Sequence, residues 1–484
     1  MKNSLKDKYK NAKDIDFLYD LKHHQGIKTS VIIPYLVAIS PILLAYVLYF
    51  FWWSFGIRDM FLGFLHTFPL WLILISIVLF LVVDTKRITI GIMDKKFDFR
   101  PKHILDNLKQ YPEVVFLFLM SVWIMIATFA NPNPSKVFSI FTADNYMQEG
   151  TLYYLGYYLI FAFSFALKDG KVHKRILIAF LISSIFGATT TFIDSAGNFF
   201  LSSHNNTPWA FSMMNSNHYG YFLTLATTAS AVLYLTEKQK GMKIFAGVTF
   251  LLNCVVMFFN DTLGCLIAVL GVFILVPIIF WLKNRKFDWQ TLLPLGIFVA
   301  LSFIITPLAK FFTSSTYKSL AGQILGLVKE LFSIAEAPLS EEASHAGTDR
   351  WSLWLKAFAG IKENLLFGTG DVIFKPHNEY LQHAYNFGVL SLIFYLIALV
   401  IILVKTLKNI RLLTDITLVF EIAVLGYLIS AIFGNTMPHT LPFFLVFLAF
   451  SIRLLNNDIK KKSQLQKSQT NVTSIEVKVN RSEI

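Results

Sequence analysis

A lysine, a histidine, an asparagine, a glutamate and a tyrosine crowd into residues 375–380, as Lys375, His377, Asn378, Glu379 and Tyr380, directly before a long apolar run. An imidazole whose ordinary pKa is about 6.5 can take up and return a proton near neutral pH. An ammonium such as that of Lys375 can hold an anion as a point charge. Where a water-exposed loop enters a membrane, such a cluster is costly unless it is used or well paired. The same residues also read as an interfacial anchor, Tyr380 and Lys375 above all, and both readings stand at this point. Arg350 belongs to the same chemistry. At 100° per residue it shares the apolar side of its helix with Trp354 and Ile361. A helix-start cation gains nothing from the macrodipole. It therefore needs a route to water or an anion, with Asp349, Asp371 and lipid phosphate as candidates.

The elements that must position these groups are membrane helices. The 484 residues are 55% hydrophobic and 16% aromatic, with 15% charged, too apolar for a soluble domain of this length. Runs long enough to cross a bilayer of about 30 Å fall at Thr29–Phe55, Phe61–Val83, Glu113–Ala130, Thr151–Leu167, Ile176–Phe192 and His218–Leu235. Six more fall at Ile244–Phe259, Leu263–Leu282, Leu292–Phe311, Tyr380–Val404, Ile416–Phe433 and Met437–Leu455. The expected fold class is all-α, a polytopic membrane protein with about twelve transmembrane helices and a large outer loop containing amphipathic helices.

The formal charge of +13 does not mark a nucleic-acid protein, because Lys and Arg are spread over alternate loops. Those loops carry Lys86 to Lys109, Lys168 to Arg175, Lys238 to Lys243, Lys283 to Lys286 and Lys405 to Arg411, whereas the intervening short loops hold little beyond Arg58 and Lys136. Positive residues are retained on the cytoplasmic side. The expected arrangement is thus a multi-pass protein of the cytoplasmic membrane with both termini in the cytoplasm. The expected divisions are a tail at 1–28, nine spans within 29–312, the outer loop at 313–379, three spans within 380–455 and a disordered tail at 456–484. Residues 1–28 lack an apolar signal core, so nothing is expected to be cleaved. Cys254 and Cys265, both within predicted spans, read as small apolar residues and not as a disulfide.

Within 313–379, Leu320, Ile324, Leu327, Val328 and Leu331 recur at helical spacing and predict an amphipathic helix at the interface. Ala337–Gly347 reads as a flexible link. Thr348 can cap a second helix that Gly368 and Gly370 end. On that helix Trp351, Trp354, Leu355, Phe358, Ile361 and Leu365 form one stripe. Further polar groups are expected on the same side, namely Asn215, Asn217 and His218, Asn260 and Asp261, and Asn435 with His439. Taken singly, each also fits a helix cap or turn.

Taken together, Arg350, Trp354, Gly368, Gly370, His377, Asn378, Tyr380, Leu381 and Gly388 stand where one family has an Arg, a Trp-bearing amphipathic helix, Gly-x-Gly, His-Asn-x-Tyr-Leu and a following Gly. This stretch resembles the O-antigen ligase and polysaccharide polymerase superfamily of membrane glycosyltransferases. The resemblance implies a donor glycan on a polyprenyl diphosphate and a glycan, lipid or wall-polymer acceptor, with no metal and no cofactor. It implies that Arg350 holds the diphosphate through a bidentate fork and that His377 is the general base. Lys375, Asn378, Glu379, Tyr380 and Asn217 are then the substrate-binding residues. The chain departs from the family at two places. TPWAFSMMNSNHYG keeps Asn215 and Asn217 without the family's Arg, and NDTLGC lacks a Ser-Arg-Gly. No Walker loop, His-Glu-x-x-His, paired Cys-x-x-Cys or EF-hand loop is present. The alternative is a transporter or flippase of a lipid-linked or anionic substrate.

Overall fold

The computed structural model describes residues 29–55, 74, 75, 78, 109–131, 149–197, 213, 215–313, 319–338, 340, 350–435 and 439–482. The predicted tail at 1–28, nearly all of the span Phe61–Val83, Arg58, Lys136, the basic loop from Lys86 to Lys102, the cap Thr348, Asp349 and Met437 lie outside the described residues.

Fourteen α-helices and no strand are present among the described residues. They are α1 (Thr29–Phe55), α2 (Pro112–Phe129), α3 (Thr151–Ala166), α4 (Gly170–Gly197), α5 (Ser216–Thr236), α6 (Lys240–Asn260) and α7 (Leu263–Asn284). The second half comprises α8 (Leu293–Thr313), α9 (Leu320–Glu336), α10 (Arg350–Glu363), α11 (Glu379–Phe387), α12 (Val389–Asn409), α13 (Asp415–Ser430) and α14 (Leu441–Ser482). Seven helical stretches among the described residues are long and apolar enough to cross a membrane. On α12 the exposed side chains Ile393, Leu396, Val400, Leu403 and Leu407 recur every three or four residues. That is an apolar stripe turned outward, which only lipid solvates well. The chain is an integral membrane protein.

Helix α5 is buried along nearly its whole length at the centre of the bundle. Its Thr224, Thr228 and Ser230 hydroxyls donate to carbonyls four residues earlier at 2.9, 2.6 and 2.6 Å, so they are satisfied within the helix and add no unpaired group to the core. Small residues let neighbours approach closely, as where Gly426 of α13 faces Thr228.

Two expectations need correction. The run Tyr380–Val404 is not one continuous helix. Gly388, at φ 86°, separates the polar-rich α11 from the apolar α12. The predicted disordered tail begins inside α14, which continues as helix to Ser482. No Gly or Pro occurs between 457 and 482 to stop it.

One end of the bundle carries cation–carboxylate pairs. Lys405 Nζ lies 2.7 Å from the buried carboxylate of Glu113 and donates to Asn456 Oδ1 at 3.1 Å. Lys174 meets Glu237 at 2.5 Å and Lys283 meets Asp415 at 2.7 Å. The residues singled out for chemistry occupy the opposite end.

Candidate functional site

Glycines fasten the two halves of the central motif together. Thr369 N–H donates to Tyr385 O at 2.7 Å, Gly370 N–H to Asn386 O at 3.2 Å, and Val389 N–H to Leu365 O at 2.9 Å. Gly368 and Gly388 both have positive φ, and a Cβ on Gly388 would come within 1.7 Å of Leu366 O. These positions thus serve backbone approach. Trp123 of α2 completes the joint by donating its indole N–H to Phe387 O at 3.0 Å and stacking on Phe367.

The loop then turns sharply at His377, which adopts φ 52°, a left-handed conformation that a non-glycine residue enters at a cost. The next residue, Asn378, caps α11 by accepting from Leu381 N–H at 3.0 Å. What holds His377 comes from elsewhere in the chain. Its backbone N–H donates to Asn435 Oδ1 at 2.8 Å, and Asn435 Nδ2 lies 3.4 Å from His377 Nδ1. Since the amide oxygen is fixed by the backbone N–H, the amide nitrogen faces the ring. Nδ1 then keeps the lone pair and Nε2 carries the proton.

Two cations stand near this ring. Burial, the Arg350 guanidinium and the Lys375 ammonium together hold the His377 pKa below its ordinary value. Lys375 is itself unusual, because its Nζ is buried with no hydrogen-bond partner. Burial lowers its pKa, and only Glu149 pulls the other way. Arg350 has no ion-pair or hydrogen-bond partner among the described residues. In particular, Asp371 is engaged by the backbone N–H groups of Ile373 and Phe374 at 3.1 and 3.2 Å. His218 is buried within electrostatic reach of Lys375, His377 and His439, and its ring centroid lies 5.8 Å from that of His439. A buried cation normally has a partner. This end of the bundle gathers cations and imidazoles instead.

Glu379 and Tyr380 point away from that group. The Glu379 carboxyl accepts from Tyr395 at 3.2 Å and Tyr427 at 3.3 Å. Burial pushes its pKa up to about 8 despite these bonds, with Glu149 adding to the rise. Glu149 in turn accepts from Tyr157 at 2.5 Å. Tyr380 donates to Leu428 O at 2.8 Å.

A cleft of about 380 Å³ opens on the other side of Arg350. Its walls are the start of α5 with Asn217, the α6–α7 turn with Asp261, α9 with Glu330, and α10 with Trp351 and Trp354. Asp261 sits at φ 53° and accepts from Gln323 of α9 at 2.7 Å, which ties the amphipathic helix to the bundle. Trp351 donates to Pro338 O at 2.8 Å. Among the described residues no group of three or more His, Cys, Asp and Glu is placed to hold a metal ion.

Compared with known families, residues 248–396 match the family model described as O-antigen ligase. Over this stretch the chain is similar to the O-antigen ligase family. A search of curated proteins returned no match. The matched stretch begins within α6 and ends within α12, so it holds Asp261, Arg350, Lys375, His377, Asn378, Glu379 and Tyr380. It does not contain Asn217, His218, Glu149 or Asn435. Those residues come from α5, the segment before α3 and the connection after α13. Of the residues expected from sequence, Arg350, Lys375 and His377 gather at one place, Asn217 joins Arg350 in the cleft, and Asn378 is occupied as a cap. The orienting partner of His377 is Asn435, 58 residues away. In sequence it offered only an Asn in a short polar turn.

Proposed function

We propose that the protein is a glycosyltransferase that moves a glycan from a polyprenyl diphosphate to an acceptor hydroxyl, as a surface-polysaccharide polymerase or ligase. It works on the outer face of the cytoplasmic membrane, without a cofactor. The observation that carries this reading is the buried, unpartnered ammonium of Lys375 beside the Arg350 guanidinium and the His377 ring. A diphosphate brings the anionic oxygens these groups lack. Arg350 binds it through two N–H groups, and Lys375 adds a point charge. As the glycosidic C–O bond breaks, its electron pair moves onto the diphosphate, where both cations stabilise the growing charge. The acceptor oxygen attacks the freed sugar carbon and passes its proton to Nδ1 of His377. That nitrogen has the lone pair, and its 3.4 Å contact with Asn435 is long enough to yield to a hydroxyl. The outer placement is supported by the paired lysines at the opposite end, since positive residues are retained on the cytoplasmic side.

Kinetics on the purified chain in detergent, with lipid-linked glycan extracted from native membranes, tests the division of roles. Lys375→Ala is expected to raise the half-saturating donor concentration about 10–100-fold with little change in turnover, matching loss of a charged hydrogen bond. Arg350→Lys is expected to lower turnover about a hundredfold or more, because the fork is lost. Lys375→Arg should retain function. If Lys375→Ala leaves the donor dependence unchanged, Lys375 only anchors the loop and the diphosphate lies elsewhere.

A further inference from the structure

The charges around Arg350 divide into two unlike environments. On the His377 side stand Lys375, His218 and His439, with Glu149 acting on Lys375 only through space. On the cleft side stand the carboxylates of Asp261 and Glu330, with Asn217, Trp351 and Trp354. Arg350 itself lines the cleft, and a diphosphate passing beyond it would leave Lys375 and approach the Asp261 carboxylate, a like charge about as unfavourable as an opposite charge is favourable. The cleft therefore suits a different part of the substrate.

We propose that this cleft is a glycan subsite that receives an uncharged, hydroxyl-rich sugar ring. This assignment rests on the glycosyltransferase reading above and adds to it where the sugar sits. Asp261 offers a second oxygen beyond the one used by Gln323, and carboxylate oxygens accept the hydroxyl donors that sugars carry in number. Burial pushes the Asp261 pKa up to about 6, against the pull of its Gln323 bond, which leaves it ionised and accepting at pH 7. Asn217 can donate and accept. Trp351 and Trp354, with ring centroids 6.2 Å apart, supply aromatic surface for the apolar face of a pyranose. The volume, about 380 Å³, falls in the range of small-ligand pockets, and its few polar groups on an apolar wall match their composition.

Cysteine protection tests the assignment. Cys254 and Cys265 are fully buried, so a maleimide should report on a single introduced Ile334→Cys in the cleft wall. The probes are inorganic pyrophosphate and the free glycan released by mild acid from lipid-linked glycan of native membranes. The free glycan is expected to slow labelling about fivefold once it reaches about four times its dissociation constant, while pyrophosphate leaves the rate unchanged. Asp261→Asn should restore the unprotected rate, and Asn217→Ala, which leaves the α6–α7 turn intact, should weaken protection. Protection by pyrophosphate, or none by the glycan, overturns the proposal. Transfer by the wild-type chain on the same extract is scored separately. Turnover without cleft protection overturns the subsite alone, and protection without turnover overturns the transferase reading alone.

Discussion

Replacing His377 by alanine is expected to lower glycan transfer by about 10²–10⁴-fold, the range for losing a positioned general base, while the protein inserts and purifies normally. The side chain's hydrogen-bond contact is with Asn435 Nδ2, and the backbone N–H that fixes the turn survives the substitution. The base works in its neutral form. Burial and the two cations lower the imidazole pKa, so the neutral form persists to a pH below the ordinary value of about 6.5. Transfer should therefore stay level through pH 6.5 and fall only as the pH drops through the depressed pKa. Asn435→Asp sets a carboxylate against Nδ1, favours the imidazolium and should move that acid limb upward. Pre-steady-state transfer measured from pH 5 to 8 checks both statements. Wild-type turnover in the alanine variant would remove His377 from the reaction.

Gly388→Ala is expected to cost more than the roughly 1–3 kcal/mol charged for a non-glycine residue in an unfavourable φ region. The added Cβ would stand 1.7 Å from Leu366 O and 2.9 Å from Phe367 N, and both are backbone atoms that cannot rotate aside. Relief would break the Val389-to-Leu365 hydrogen bond and separate the end of α10 from α11. Thermal unfolding in detergent should show a large fall in Tm together with loss of transfer. Gly241→Ala is the matched control, because its Cβ would meet nothing within 4 Å. A Gly388→Ala protein as stable as that control would mean that the α11–α12 break does not depend on a glycine.

Apolar runs revealed the helices well, because a spanning segment must be both long and continuous. They could not reveal that Glu379–Phe387 and Val389–Asn409 are separate, since the break depends on one φ angle. His377 and Arg350 were legible from residue types close together in a recognisable order. Asn435 showed only as a polar group on the same side, without its link to His377, and Glu149 did not show, because both reach the site through packing of distant helices. Lys375 was ambiguous for a physical reason: a lysine near a membrane end usually extends its ammonium to water, and only the fold shows this one enclosed.

The pairing of Lys405 with Glu113 ties two membrane helices together. At one end α2 and α12 are locked by that ion pair, 2.7 Å long and backed by Asn456 of α14. At the other, Trp123 of α2 holds the carbonyl that immediately precedes Gly388. Two rods joined at both ends form a stiff frame, and the turn that presents His377 is mounted on it. Of the two outer helices, α10 buries Ala357 and Ile361 against Ala384 and Tyr385 of α11, whereas α9 is tied to the bundle by Gln323 on Asp261. Under the proposed function, an opening that admits a long glycan therefore falls to α9, while His377 keeps its position.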